Sequence, residues 1–171
     1  MHYEIREPLE DESDEMGRVH VKAWATTYGG IVSEQYIRTL SVEAHAEDWK
    51  QRIISSADFV RVATLEGRIV GLVHTCFART VPVEFSHEFL GELNSIYVVK
   101  EYHRLGIGRA LFDGGVHWLK TSGINSMFLW VIDSNPAKHF YERMHGIPIV
   151  RKQIPFAEKV VEGIGYGWRS L

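Results

Sequence analysis

Ile96-Tyr97-Val98-Val99-Lys100-Glu101-Tyr102-His103-Arg104-Leu105-Gly106-Ile107-Gly108-Arg109-Ala110-Leu111-Phe112 joins a strand-like run, Leu93–Val99, to a helix predicted over Gly106–Leu119. Two glycines flank one residue where that helix begins. Glycine lets a backbone come close to a ligand and adopt unusual dihedrals. The first N–H groups of a helix have no internal partner and point into the loop. Together with the helix dipole they form an anion site suited to a diphosphate. Arg104 and Arg109 add charge to it. A Walker loop needs Gly-Lys-Ser/Thr, and Arg109-Ala110 stands there instead. A dinucleotide fingerprint needs a third glycine near Leu111, which is absent. The plainer reading is a glycine-bearing connection that holds nothing.

Outward from this loop the pattern alternates. Downstream come a strand at Phe128–Ile132, a helix at Asn135–Met144 closed by Gly146 and Pro148, and two closing strands at Ile149–Phe156 and Val160–Trp168. Upstream, Phe59–Leu65 and Arg68–Ala78 read as a hairpin turning at Glu66-Gly67. Before them come a short strand, Tyr3–Arg6, and a helix from Ser13 to Tyr28 that Gly29-Gly30 stops. Two more helices are opened by Ser33 and Ser41. The order predicts an α+β fold with at least one parallel crossover.

A second motif is Asp133-Ser134-Asn135-Pro136-Ala137-Lys138-His139-Phe140-Tyr141-Glu142-Arg143-Met144-His145-Gly146. Asn135 reads as an N-cap and Pro136 as the first helical residue. Tyr141 then lies under two turns along the helix. Taken alone, Asn135 is a cap and Tyr141 a core aromatic.

The two motifs in this order resemble the GNAT family of N-acetyltransferases, whose first signature is Gln/Arg-x-x-Gly-x-Gly/Ala after a Val-rich strand. His103 stands where the family has Gln or Arg. The resemblance implies the GNAT fold: a central mixed, twisted β-sheet of about seven strands flanked by helices, with residues 1–171 as one domain. It implies acetyl-CoA as cosubstrate, its pantetheine on the backbone of Ile96, Tyr97 and Val98. Its diphosphate would be wrapped by the loop from His103 through Arg104, Leu105, Gly106, Ile107 and Gly108 to Arg109. It makes Tyr141 the general acid for the departing thiolate and Asn135 a holder of the pantetheine arm. Ala23–Ile31 and the terminal Tyr166-Gly167-Trp168 extend the resemblance more loosely.

An amine must lose a proton to be acetylated, and a nearby carboxylate can take it directly or through water. Glu92 is the first candidate, six residues before Val98. Several family members have a glutamate base there. In an extended strand Glu92, Asn94 and Ile96 share one face. Glu84, Glu88 and water alone are the rivals. Trp24 and Tyr28 end a helix beside Gly29-Gly30 and are core aromatics or walls of the acceptor pocket.

Composition narrows the remainder. Of 171 residues, 45% are hydrophobic and 24% charged, and the net charge is −3. This suits one globular domain and argues against a nucleic-acid partner. Met1 to Glu15 is acidic and lacks the apolar run of a signal peptide. No stretch approaches the roughly 18 apolar residues of a membrane span. With Cys76 as the only cysteine, the expected setting is cytoplasmic, for a monomer or homodimer. The nine histidines show no ligand spacing, so no metal is expected. Cys76 reads as a buried strand thiol, Gly114-Gly115 as close packing of a helix on the sheet. Gly163, Gly165 and Gly167 leave one face of the last strand bare. The expected function is transfer of acetyl to a primary amine of a small molecule, peptide N-terminus or lysine. The alternative is a non-catalytic acyl-CoA-binding module.

Overall fold

The chain is described by a computed structural model covering residues 2–55 and 57–171. Strands β1 (Tyr3–Arg6), β2 (Phe59–Leu65), β3 (Arg68–Phe77), β4 (Gly91–Val98), β5 (Met127–Ile132), β6 (Ile147–Phe156) and β7 (Lys159–Trp168) form one sheet, ordered β1-β2-β3-β4-β5-β7-β6. The β4–β5 pair is parallel and the other pairs are antiparallel. Helices α1 (Ser13–Tyr28), α2 (Glu34–Arg38) and α3 (Val42–Ser55) precede β2. Helix α4 (Ile107–Thr121) makes the β4-to-β5 crossover, and α5 (Lys138–Arg143) joins β5 to β6. This is the seven-stranded mixed sheet flanked by helices that the sequence predicts.

α4 shows how sequence becomes packing here. Ile107, Leu111, Phe112, Gly115 and Leu119 recur at helical spacing and are buried against the sheet. Each large apolar side chain among them contributes about 1.5–3 kcal/mol on burial. A Cβ on Gly115 would lie 2.3 Å from Thr75 Oγ1, and one on Gly114 would lie 3.2 Å from the Phe59 ring. The glycine pair therefore sets how closely α4 lies on β2 and β3. On the opposite face, Met16 and Val19 of α1 and Trp49 of α3 cover Val60, Val62, Ile69 and Leu72.

The bare face of β7 is filled from within. Ile154, Phe128, Val150 and Phe89 occupy the space that side chains at 163, 165 and 167 would need. Pro148 does not end the preceding helix but lies inside β6. It is tolerated because β6 is the edge strand, where a missing N–H breaks no ladder.

Two features of β4 create the site. Its pairing with β5 consists of Gly91↔Met127 and Glu92↔Phe128. Beyond that point the strands part, leaving the β5-facing edge of β4 without a ladder partner. β4 also carries a bulge: Leu93 pairs with Thr75 and Ser95 with His74, so Asn94 is the extra residue.

Candidate active site

The bulge overturns the expectation that Glu92, Asn94 and Ile96 share a face. One inserted residue resets the alternation. Leu93, Ile96 and Val98 join the α4 side. Glu92 is paired with Cys76 on the other face, Asn94 bonds to His74, and Tyr97 packs toward α1.

At the far end of β4, residues 103–106 lead into α4. Arg104 has φ 64° and Gly106, the N-cap, has φ 84°. The left-handed region is costly for arginine and free for glycine. The first intrahelical bond runs from Ala110 N to Gly106 O, so the amides of Ile107, Gly108 and Arg109 precede it. A Cβ on Gly108 would find nothing nearer than Val98 and Phe140 at 3.9 Å. A side chain at 108 would therefore make only ordinary contacts, beside free amides at a helix N-terminus. Arg109 is partly held by Asp113 at 3.2 Å. His103 is turned to β4: its Nε2–H donates to the Val98 carbonyl at 2.8 Å, tying the loop to that strand.

The second motif is built differently from its reading. The helix begins at Lys138, with Ala137 as N-cap. Asn135 instead makes a turn, its Oδ1 accepting from Ala137 N at 2.8 Å. Lys138, His139 and Phe140 then donate three residues back, so the entry is too tight for α-helix. Asn135 is buried, and its Nδ2 donates to the Tyr28 hydroxyl at 3.3 Å, bracing the end of α1 against this turn. Tyr141 is buried, and among the described residues its hydroxyl makes no hydrogen bond. Burial, reinforced by the nearby Tyr28, pushes its ionisation upward, so the phenol keeps its proton.

Glu92 is 3% exposed. A charge so buried requires hydrogen bonds, and it accepts three: from Arg79 N and Thr80 N at 2.8 Å and from Thr80 Oγ1 at 2.9 Å. Of about four lone-pair sites on a carboxylate, roughly one remains, on Oε1. Glu92 lines a cleft of about 330 Å³ with Thr80, Asn94, Trp130, Lys152 and Ile154. The Trp130 indole donates to Thr80 O at 3.1 Å, and the Lys152 ammonium lies 4.4 Å from its ring centre. Ser95, next on the bulge, has a buried hydroxyl without a partner among the described residues.

Trp24 and Tyr28 meet Phe156, from the β6–β7 hairpin, at ring distances of 5.7 and 4.8 Å. Ser33 N donates to Glu158 at 2.7 Å, fastening that hairpin to the start of α2. Sequence reading missed His74, Asp58 and Arg79. His74 Nε2 lies 2.8 Å from Asp58, which also accepts from Arg79 at 2.7 Å. Nothing in their spacing marks them. Cys76 is buried as expected, and burial, with Glu92 nearby, pushes its thiol up to about 12.

A family profile described as the acetyltransferase (GNAT) family matches residues 23–147. Uncharacterized N-acetyltransferase YuaI of Bacillus subtilis (strain 168) is 32% identical over 98% of this chain and 93% of its own. Two solved structures share the fold. The PaiA N-acetyltransferase of Thermoplasma acidophilum, in complex with coenzyme A, has TM-score 0.74 and 21% identity, covering 98% of this chain and 100% of its own. YncA of Salmonella typhimurium, with its cofactor acetyl-CoA, has TM-score 0.72 and 14% identity, covering 98% and 94%.

Proposed function

The chain belongs to the acetyltransferase (GNAT) family, and from that premise we propose that it moves the acetyl group of acetyl-CoA to a primary amine by direct attack. The observation that carries this reading is the parting of β4 from β5 beyond Glu92 and Phe128, in a wedge that leads to the free amides of α4. A diphosphate suits those amides. A pantetheine arm, with its two amide groups, suits the unpaired edge of β4 at Ile96–Val98. The thioester then falls near the bulge. That relatives of the same fold were solved with coenzyme A and acetyl-CoA supports the same donor here.

The amine nitrogen attacks the thioester carbonyl carbon; the C–N bond forms and the C–S bond breaks. The amine proton passes to Glu92, directly or through water, and the departing sulfur takes the proton of Tyr141. Trp24 and Tyr28 wall the acceptor side. A panel of amines with a thiol-release readout tests the reaction, and Glu92→Gln should slow it roughly 10²–10⁴-fold, less at high pH where free amine is plentiful. Acetyl-CoA binding with no amine turned over would instead make the chain a binding module. The three hydrogen bonds on Glu92 favour a second role, anchor of the Arg79–Thr80 loop, with water carrying the proton. In that case Glu92→Gln lowers thermal stability and leaves the shape of the pH–rate profile intact.

A further inference from the structure

Strand alternation puts Val150, Lys152, Ile154 and Phe156 of β6 on the cleft side. Three of them are apolar. Val150 and Ile154 fill the space beside Gly165 and Gly163, and Phe156 stacks on Trp24. Lys152 is the exception: it is exposed and lines the cleft with Glu92 and Trp130. Arg151, on the other side of the strand, is taken by Asp133 and Glu162 at 3.3 and 2.6 Å. Lys138 holds Asp133 as well, at 3.0 Å. Among the described residues the Lys152 ammonium has no ion pair or hydrogen bond, and it lies 4.4 Å from the centre of the Trp130 ring.

The sheet order explains that position. β7 lies between β5 and β6, so Lys152 and Trp130 start from strands about 10 Å apart. Their register partners on β7 are Gly163 and Gly165. Both leave β7 bare on this face, and the lysine stem crosses it to reach the indole. The indole is fixed in turn. Its Nε1–H donates to Thr80 O at 3.1 Å, and Thr80 donates to Glu92 through N at 2.8 Å and Oγ1 at 2.9 Å. Carboxylate and ammonium are thus tied to one frame. Trp130 lies two residues beyond Phe128, the register partner of Glu92, or about 7 Å along β5. A ring face attracts a cation without neutralising it, so the ammonium keeps its charge and N–H groups for another partner. Edge strands also use lysine to discourage pairing with another chain. That use does not require the ammonium to be drawn over an indole inside a cleft.

We propose that Lys152 is the anion subsite of the acceptor cleft: the acceptor is a small amine that also carries a carboxylate or phosphate, bound with its anion on Lys152 and its amine at Glu92. The inference rests on the amine-transfer reading and narrows its substrate class. A short apolar spacer between the two ends lies on Trp130 and Ile154. The cleft, at about 330 Å³, is at the small end for ligand sites, which suits an amino acid or aminoalkyl phosphate. A diamine would set a second cation against Lys152 and is disfavoured.

Paired acceptors on the full chain test this. Amino acids from glycine to 6-aminohexanoate, and aminoalkyl phosphates, are compared with alkylamines of equal length at one pH and saturating acetyl-CoA. At the best spacer the anionic amine should show a KM roughly tenfold or more below that of its alkylamine, as for a hydrogen bond to a charged group. Carboxylate against phosphate at equal spacer length identifies the anion. Lys152→Met keeps the stem and removes the charge. It should erase the advantage, with melting temperature and acetyl-CoA affinity unchanged. Lys152→Glu should reverse the preference in favour of diamines. A wild type that takes alkylamines, diamines or peptides as readily as anionic amines overturns the proposal while the reaction stands. So does a preference for anionic amines that survives in Lys152→Met, which would leave the lysine as an edge guard. A chain that binds acetyl-CoA and acetylates no amine overturns the reaction and this inference together.

Discussion

On the α4 side of the sheet, Leu93, Ile107, Leu111, Phe112 and Leu119 form an apolar layer that ends in a glycine loop. On the α1–α3 side, toward the β4 bulge, the layer includes His20, His74, Asp58, Asn94 and Glu92. The first face offers backbone: free helix amides and an unpaired strand edge. The second offers side chains held by one another. Backbone recognition suits a donor that never changes. A side-chain network suits an acceptor whose identity must be specified, since each exchange of residue changes what the cleft accepts.

Gly108→Glu breaks this comparison most severely. A carboxylate there lies beside the α4 amides, in the place proposed for the diphosphate. The stabilisation that coenzyme A confers through ligand linkage should vanish and acetyl transfer with it, while the fold survives because Gly108 has an ordinary φ and no close neighbour. A thermal shift with coenzyme A equal to the parent's would remove the donor site from this loop.

That loop was legible in the sequence because it is a local device. Gly106, Gly108 and the helix that follows lie within one short stretch, as do Asn135 and Tyr141. Helices and strands were legible for the same reason, down to the Ser33 cap, which accepts from Tyr36 N at 3.1 Å. The polar cluster proposed to face the acceptor was not. Asp58, His74 and Asn94 are separated by 16 and 20 residues, and Tyr28 reaches Asn135 across 107. No spacing rule connects them, because the sheet register brings them together. The bulge was also invisible: nothing in Leu93-Asn94-Ser95 announces an extra residue, yet that residue moved Asn94 and Ile96 to opposite faces. The missed start of α5 has a similar cause, since Asn135 caps a tight turn as readily as a helix.

Tyr141→Phe tests the junction of the two faces with a smaller expected effect. The ring and its packing against Phe140 and Tyr166 remain, and only the proton is lost. The single-turnover rate should fall about 10²-fold, within the range of general acid catalysis, at unchanged coenzyme A affinity. A normal single-turnover rate would make Tyr141 part of the apolar layer and nothing more.

The mildest effect sharpens the contrast without any substitution near the cleft. His20 stacks between His45 and Tyr97 at 4.0 and 4.4 Å and accepts from the Trp49 indole at 3.2 Å. Burial, then His45 and Arg52, lower it from 6.5 to about 3. The folded chain holds this ring neutral, whereas the unfolded chain protonates it below about pH 6.5. The stability it contributes is therefore complete above that pH and is lost as pH falls toward 3. In the middle of that window the slope is at most about 1.4 kcal/mol per pH unit. Carboxylates with lowered values, such as Glu12, held down chiefly by its bond to Arg6, lose their contribution only as pH falls below the ordinary carboxylate range. Denaturant unfolding between pH 6.5 and 5 thus reads the lowered imidazoles, His20 with His45 and His74, ahead of those carboxylates. Stability should decline across this interval, and His20→Leu should flatten the decline. Gly108→Glu, on the face whose buried phenols Tyr141 and Tyr166 are pushed upward and keep their protons, should leave the slope as it is. A flat profile for the parent chain would mean that the α1–α3 layer admits protons as freely as the unfolded state, and that its polar groups are not held apart from solvent.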